Sequence, residues 1–458
     1  MYDRLLDRAH AHARRFLSTI KDRHVGTHAT REALLAALGG PLPDAPADPA
    51  DVVDRLAREA DPGIVADAGP RYFGFVTGGS HPAAVGADWL VSAWDQNTAL
   101  YVMSPAAAVI EDVAAGWVLE VLGLPPNASV GFVTGAHMAN LTALAAARHE
   151  VLRRAGWDVE AGGLQGAPRV HVVVGAEAHV SIFAALRLLG FGVNTIRRAA
   201  ADDQGRMGPD ALAAELRHCS GPTIVCAQAG HVGTGAFDPF LRIAAMARAH
   251  GAWLHVDGAF GLWAAASPRR NHLTTGFEQA DSWATDAHKW LNVPYDCGIV
   301  MCANSGAHRA AMSQRAAYLI RGSDEQRNGM DWVPESSRRA RAVPVYATMR
   351  SLGRHGIADL VERCCTLALR MADRLRGEPG LEILNDVVLN QVLVRFGERT
   401  AAVVARVQEE GVCWLGGTVW DGRDAMRISV SSWRTQEDDI DRSADSIVRA
   451  WRAEQARA

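Results

Sequence analysis

The chain reads as an α/β protein, with a mostly parallel central sheet flanked by helices and a small α+β domain at its C-terminal end. Three observations predict this. Short apolar runs (130–133, 170–174, 223–227 and 253–256) alternate with helix-length segments, the rhythm of parallel strands buried on both faces. Small or chemically active residues follow several of these runs, where an open α/β sheet takes its ligands. From about Pro344 the rhythm changes to one long helical stretch, Tyr346 to about Arg376. Strand candidates Gln391 to Phe396 and Met426 to Ser431 and a charged closing helix follow. The expected division is a helical segment 1–75, a large domain 76–343 and a small domain 344–458.

Composition narrows the function classes. At 458 residues the chain exceeds a single core, which leaves room for a cleft between packed regions. A net charge of −4 without a basic run argues against nucleic acid or a membrane surface as partner. Seven cysteines without a CxxC pair suit reduced thiols. Residues 1–17 lack the apolar core of a signal peptide, and no run approaches the roughly 20 apolar residues of a membrane span. A cytoplasmic protein is the expectation, and no metal-ligand pattern stands out.

The elements follow in order. Residues 1–75 read as helices interrupted by the proline-rich loop Gly40 to Pro46. In Pro70 to Gly79, the aromatics and glycines form either a turn clamped by core side chains or part of a pocket, with Phe73, Phe75 and Thr77 as candidates. Ser104-Pro105 opens a scaffold helix, serine as N-cap and proline in the first turn. The strand Val130 to Val133 leads through Thr134-Gly135-Ala136-His137 into an alanine-rich helix reaching about Arg154. Strand, small-residue turn and helix start make an anion cradle, and the turn lacks the pattern of a Walker loop. The strand Val170 to Val174 ends shortly before His179, either a satisfied core histidine or a site group. A helix near Ile182 to Leu189, a strand at Thr195-Ile196, a helix near Asp210 to His218 and a strand Thr223 to Ala227 continue the alternation. A glycine-rich loop with His231 and Gly233 and a helix from Phe240 to His250 then lead into the strand that ends at Asp257.

The chemistry centres on the next stretch. Only two of the 47 lysines and arginines are lysine, Lys21 and Lys289, and Lys289 stands between His288 and Trp290. A lysine amine can lose its charge and form a Schiff base, which arginine cannot. A carboxylate at a strand end (Asp257), small residues after it (Gly258, Ala259) and a lone lysine fit a site for pyridoxal 5'-phosphate (PLP). There the lysine holds the aldehyde, and the aspartate keeps the ring nitrogen protonated. An opposite charge at contact moves a pKa by roughly one to three units. Beyond the strand Ile299 to Met301, Ala317 to Gly329 has the composition of a mobile lid, and Ser336 to Arg341 is arginine-rich.

His255-Val256-Asp257-Gly258-Ala259-Phe260-Gly261, with Asp286-Ala287-His288-Lys289-Trp290-Leu291 and Pro294-Tyr295-Asp296-Cys297-Gly298, resembles the group II PLP-dependent amino-acid decarboxylases, the aromatic-amino-acid and glutamate decarboxylase type. The resemblance spans roughly residues 65–440. It implies PLP fold type I, the aspartate-aminotransferase-like architecture, and a homodimer with active sites at the interface, the N-terminal helices packing on the partner. It implies that the turn Gly135-Ala136-His137 holds the cofactor phosphate, His137 either binding it through the ring, facing the substrate or only starting the helix, that His179 stacks on the ring, and that Asp257, Ala259, His288 and Lys289 complete the cofactor site. It further implies that Tyr318, otherwise a solvated loop tyrosine, is the lid tyrosine that protonates the substrate carbon, and that Phe73 and Thr77 belong to the substrate pocket. His137 and His231 depart from the family pattern, which prefers a small or hydroxyl residue and an asparagine. The expected reaction is decarboxylation of an L-amino acid, or a metabolite derived from one, to the amine and carbon dioxide. The alternatives are decarboxylation-coupled oxidative deamination to an aldehyde and β-elimination from a cysteine conjugate.

Overall fold

The computed structural model describes residues 2–314, 319 and 326–457. Seven strands form the main sheet: β1 (Ser129–Val133), β2 (His171–Gly175), β3 (Arg197–Ala199), β4 (Thr223–Gln228), β5 (Trp253–Asp257), β6 (Ser282–Asp286) and β7 (Gly298–Cys302). Their order is β1-β7-β6-β5-β4-β2-β3. The block from β6 to β3 is parallel throughout, whereas β7 runs antiparallel to both β1 and β6. Parallel neighbours need a crossover of a dozen or more residues. Each parallel connection has one, and the short link 287–297 between β6 and β7 has none. All residues of β1, β5, β6 and β7 are buried, as the apolar runs of β1, β5 and β7 predict, and β6 buries the polar Ser282, Thr285 and Asp286 with them.

The alanine-rich helix Ala136–Arg154 crosses this sheet and buries Ala139, Ala143, Leu144, Ala146 and Ala147 against it, small side chains that let the backbone approach closely. A second sheet, of order β10-β11-β9-β8, is built from β8 (Glu382–Ile383), β9 (Gln391–Arg395), β10 (Gly416–Trp420) and β11 (Arg423–Ser429). Contacts divide the chain into two compact units, Met1–Thr77 with Arg370–Ile383 and Leu393–Ala458, and Gly78–Leu369 with Leu384–Val392.

Three local expectations are corrected. The strand expected at Thr195-Ile196 is β3, two residues later, because Val193–Thr195 closes a 3-10 turn first. Ser104 precedes the helix Pro105–Leu122, but its hydroxyl donates to the Asn97 carbonyl instead of capping the helix. The long helix Ala342–Arg376 is broken at Gly353, whose φ of 61° leaves the helical region. Among the described residues no helix is long and apolar enough to cross a membrane.

Candidate active site

Asp257 is the last residue of β5 and Lys289 stands just past the end of the adjacent parallel β6. Parallel pairing brings both to one edge of the sheet, the carboxyl ends of the strands. The turn Thr134-Gly135 after β1 reaches the same edge. Gly298 at the start of β7 lies so close to it that a Cβ there would meet the Gly135 carbonyl carbon at 2.3 Å.

Asp286 joins these parts. Its Oδ2 pairs with Lys289 Nζ at 3.0 Å, and its Oδ1 accepts from the Ala136 N–H at 2.5 Å and lies 3.5 Å from His288 Nε2. His288 Nδ1 accepts from the Cys297 N–H at 3.1 Å, which puts the ring proton on Nε2, towards Asp286. Burial lowers the pKa of this imidazole, so it is neutral.

Asp257 is buried, at 4% exposure. Its Oδ1 accepts from the Ala259 N–H at 3.1 Å and its Oδ2 from Asn140 Nδ2 at 3.1 Å. Burial raises its pKa, opposed by the charges of His179 and Lys289 and by these two donors. Among the described residues no cationic side chain forms an ion pair with it, so a protonated ring nitrogen suits the place. The helix Ala136–Arg154 starts at Gly135, which has no side chain to cap it. Among the described residues the N–H groups of His137 and Met138 have no protein partner, an open first turn that suits a phosphate. A carboxylate short of a cation, a lysine at the same edge and an uncapped helix start fit PLP.

His179 is exposed and caps the helix Val180–Leu188, its Nδ1 accepting from the Ser181 N–H at 3.3 Å. His137 is exposed on the first helical turn. His231 is buried, and its Nδ1 accepts from the N–H groups of Gly233 and Thr234, each at 3.2 Å. A ring nitrogen here does what an asparagine side-chain oxygen does in such a turn, a physical reason for this departure from the family pattern.

Phe73 and Thr77 are buried, and Phe73 exchanges backbone hydrogen bonds with Trp414 and Ser429 in its own unit. Phe75 is 63% exposed at a φ of 53°, its ring 5.4 Å from Trp414. Arg338 of the arginine-rich segment is buried and pairs with the fully buried Glu111 at 2.9 Å. Tyr318 lies outside the described residues.

Sequence reasoning gave no role to Asn140, His255, Ser282 or Asp286. A signal was present for His255. A histidine inside the apolar run Trp253–Val256, on a strand buried on both faces, must find polar partners.

A model of the pyridoxal-dependent decarboxylase conserved domain matches residues 33–397. The chain is similar to an L-2,4-diaminobutyrate decarboxylase of Rhizobium meliloti, 30% identical over 380 residues that make 80% of this chain and 74% of the relative. It is similar to an aromatic-L-amino-acid decarboxylase of Bacillus atrophaeus, 28% identical over 442 residues, 93% of this chain and 90% of the relative. Its fold is similar to that of Oryza sativa TDC in a crystal structure with PLP and tryptamine, with a TM-score of 0.91 at 24% identity, covering 98% of this chain and 97% of the other. With the domain match running through Asp257 and Lys289, this chain belongs to the pyridoxal-dependent decarboxylase family and is a PLP-dependent amino-acid decarboxylase.

Proposed function

We propose that this enzyme decarboxylates an L-amino acid with an aromatic or apolar side chain to its amine, working as a homodimer in the cytoplasm. The observation that carries the site reading is the convergence of Asp257, Lys289 and an uncapped helix start on one sheet edge. PLP, when bound, supplies an electron sink for the pair left at the substrate carbon as carbon dioxide departs.

The chain's own residues bind, orient and move protons. Lys289 Nζ would hold the cofactor through its aldehyde and is the amine that the substrate amine would replace. Asp257 holds the proton at the ring nitrogen. Gly135 and Ala136 leave space beside the first-turn N–H groups, which bind the phosphate together with His137. His179 and Ala259 would hold the cofactor ring, and His179 would orient the substrate carboxylate. His288 steadies Asp286, the partner of Lys289. Tyr318 delivers a proton to the substrate Cα. The family resemblance assigns Phe73 and Thr77 to substrate binding, with Phe75 a further candidate. The exposed Phe75 and the aromatic-amino-acid decarboxylase among the relatives support the aromatic or apolar choice.

A product assay by mass spectrometry tests this reading, with purified protein, PLP and the amino acids, in air and without oxygen. The expected result is an amine from an aromatic or apolar amino acid, formed equally in both. Amine only from acidic or diamino substrates would overturn the substrate class. An aldehyde only in air, or pyruvate and a thiol from a cysteine conjugate, would overturn the assigned reaction.

A further inference from the structure

Asn140 stands in the first turns of the helix Ala136–Arg154, fully buried, and its side chain is the crossing point of two hydrogen-bond arms. One arm runs between β5 and β6: Trp253 Nε1 to Ser282 Oγ at 2.8 Å, Ser282 Oγ to His255 Nδ1 at 3.0 Å, His255 Nε2 to Asn140 Oδ1 at 2.9 Å, and Asn140 Nδ2 to Asp257 Oδ2 at 3.1 Å. The other leaves the same amide nitrogen for Ser181 Oγ at 3.4 Å, and Ser181 Oγ lies 2.8 Å from His179 Nδ1.

The chemistry of each group gives the first arm a direction. An ionised Asp257 only accepts, so the Asn140 NH₂ faces it and Oδ1 faces His255. His255 Nε2 then carries the ring proton, and Nδ1 accepts the Ser282 hydroxyl proton. Ser282 Oγ accepts in turn from Trp253, whose indole N–H can only donate. Every donor and acceptor of the arm is then paired, Ser282 Oγ both accepting and donating. In the second arm His179 Nδ1 already accepts from the Ser181 N–H. The Ser181 hydroxyl therefore donates to it, and the His179 proton sits on Nε2. Protonating Asp257 at the oxygen that faces Asn140 would turn the Asn140 amide over, reverse His255 and break the bond to Ser181.

We propose that Asn140, fixed by His255 and Ser282, is a positioning residue that keeps Asp257 ionised and at the same time sets the orientation of His179. The inference deepens, and rests on, the reading that Asp257 faces the ring nitrogen. The other groups facing Asp257 are His179, Lys289 and the thiol of Cys226 on β4, which burial and then the charge of Asp257 hold in its neutral form.

The test uses PLP with an isotope-labelled ring nitrogen, followed by nitrogen NMR over the neutral pH range, and equilibrium PLP affinity on reconstitution. The variants are Asn140→Leu, His255→Phe and His255→Gln, with Asp257→Asn as control. In the unaltered protein the ring nitrogen stays protonated throughout. In Asn140→Leu and His255→Phe it loses its proton within that range, and PLP affinity falls about tenfold or more, the worth of a hydrogen bond to a charged group. His255→Gln, which restores a side-chain N–H, returns both towards normal. A ring nitrogen that titrates as in the unaltered protein in both Asn140→Leu and His255→Phe overturns the proposal. If Asn140→Leu fails to fold, the His255 pair decides alone. An unchanged signal in Asp257→Asn instead overturns the reading of Asp257, so the two failures are distinguishable.

Discussion

Two serine–histidine couples are built on one row of the main sheet. Ser282 on β6 and Ser129 on β1 both stand opposite Cys302 of β7. Each meets the Nδ1 of a fully buried histidine, at 3.0 Å for His255 and 2.8 Å for His308. Burial pulls both imidazoles down, to about 3 and about 4, so both are neutral. The couples part at Nε2. His308 donates to the Trp332 carbonyl at 2.9 Å, a bond that ends there. His255 donates to Asn140 at the same distance, and the chain continues to Asp257. Burial and titration alone do not separate a structural histidine from one that serves a site; what the far nitrogen touches does.

The largest effect is expected at Asp257, where the longer hydrogen-bond chain ends. Asp257→Asn removes the charge proposed to face the ring nitrogen, and kcat should fall by about 10²–10³-fold, as for loss of a preorganised electrostatic partner. Thermal stability should hold, because a buried carboxylate is replaced by a neutral amide. Turnover and melting curves of this variant check both halves. Turnover near that of the unaltered enzyme would contradict the role of Asp257.

A smaller effect separates the two histidines. His255→Phe and His308→Phe each leave buried polar partners unsatisfied and should each cost about 1–3 kcal/mol of stability. Only His255→Phe should lower PLP affinity. Equal loss of affinity in both would erase the distinction.

The smallest effect is in pH. Both histidines have folded values below the ordinary imidazole value of about 6.5, so between those values the unfolded chain binds protons that the folded one does not. Their contribution to stability is full above about pH 6.5 and is lost as pH falls towards about 4 and then 3. Asp238 acts in the opposite sense, since burial raises its carboxyl to about 6 and its contribution grows as pH falls through that value. Melting temperature should still fall with acid, less steeply in His308→Gln. Identical slopes would contradict the neutral assignment of His308.

The parallel block and its chemistry were legible because both rest on local pattern. Apolar runs ending in Asp257, His179 and the Gly135 turn, with Lys289 standing alone, place reactive groups after strand ends. The reversal of β7 was less legible, for it depends on the shortness of 287–297, not on the strand itself. Asn140 was illegible for a different reason. It lies 117 residues from Asp257 and 115 from His255 in sequence, and nothing in the helix start distinguishes a hub from an ordinary polar residue. His231 looked like an anomaly until its Nδ1 was seen to accept two backbone N–H groups, as an asparagine oxygen would.

The proposed attachment of the cofactor to Lys289 is directly testable, because the chain has only one other lysine. Borohydride reduction of the PLP-loaded enzyme followed by peptide mass mapping should place the phosphopyridoxyl group on the peptide containing Lys289. Label on the Lys21 peptide, or a Lys289→Ala variant that keeps the visible absorbance of lysine-bound PLP, would contradict it.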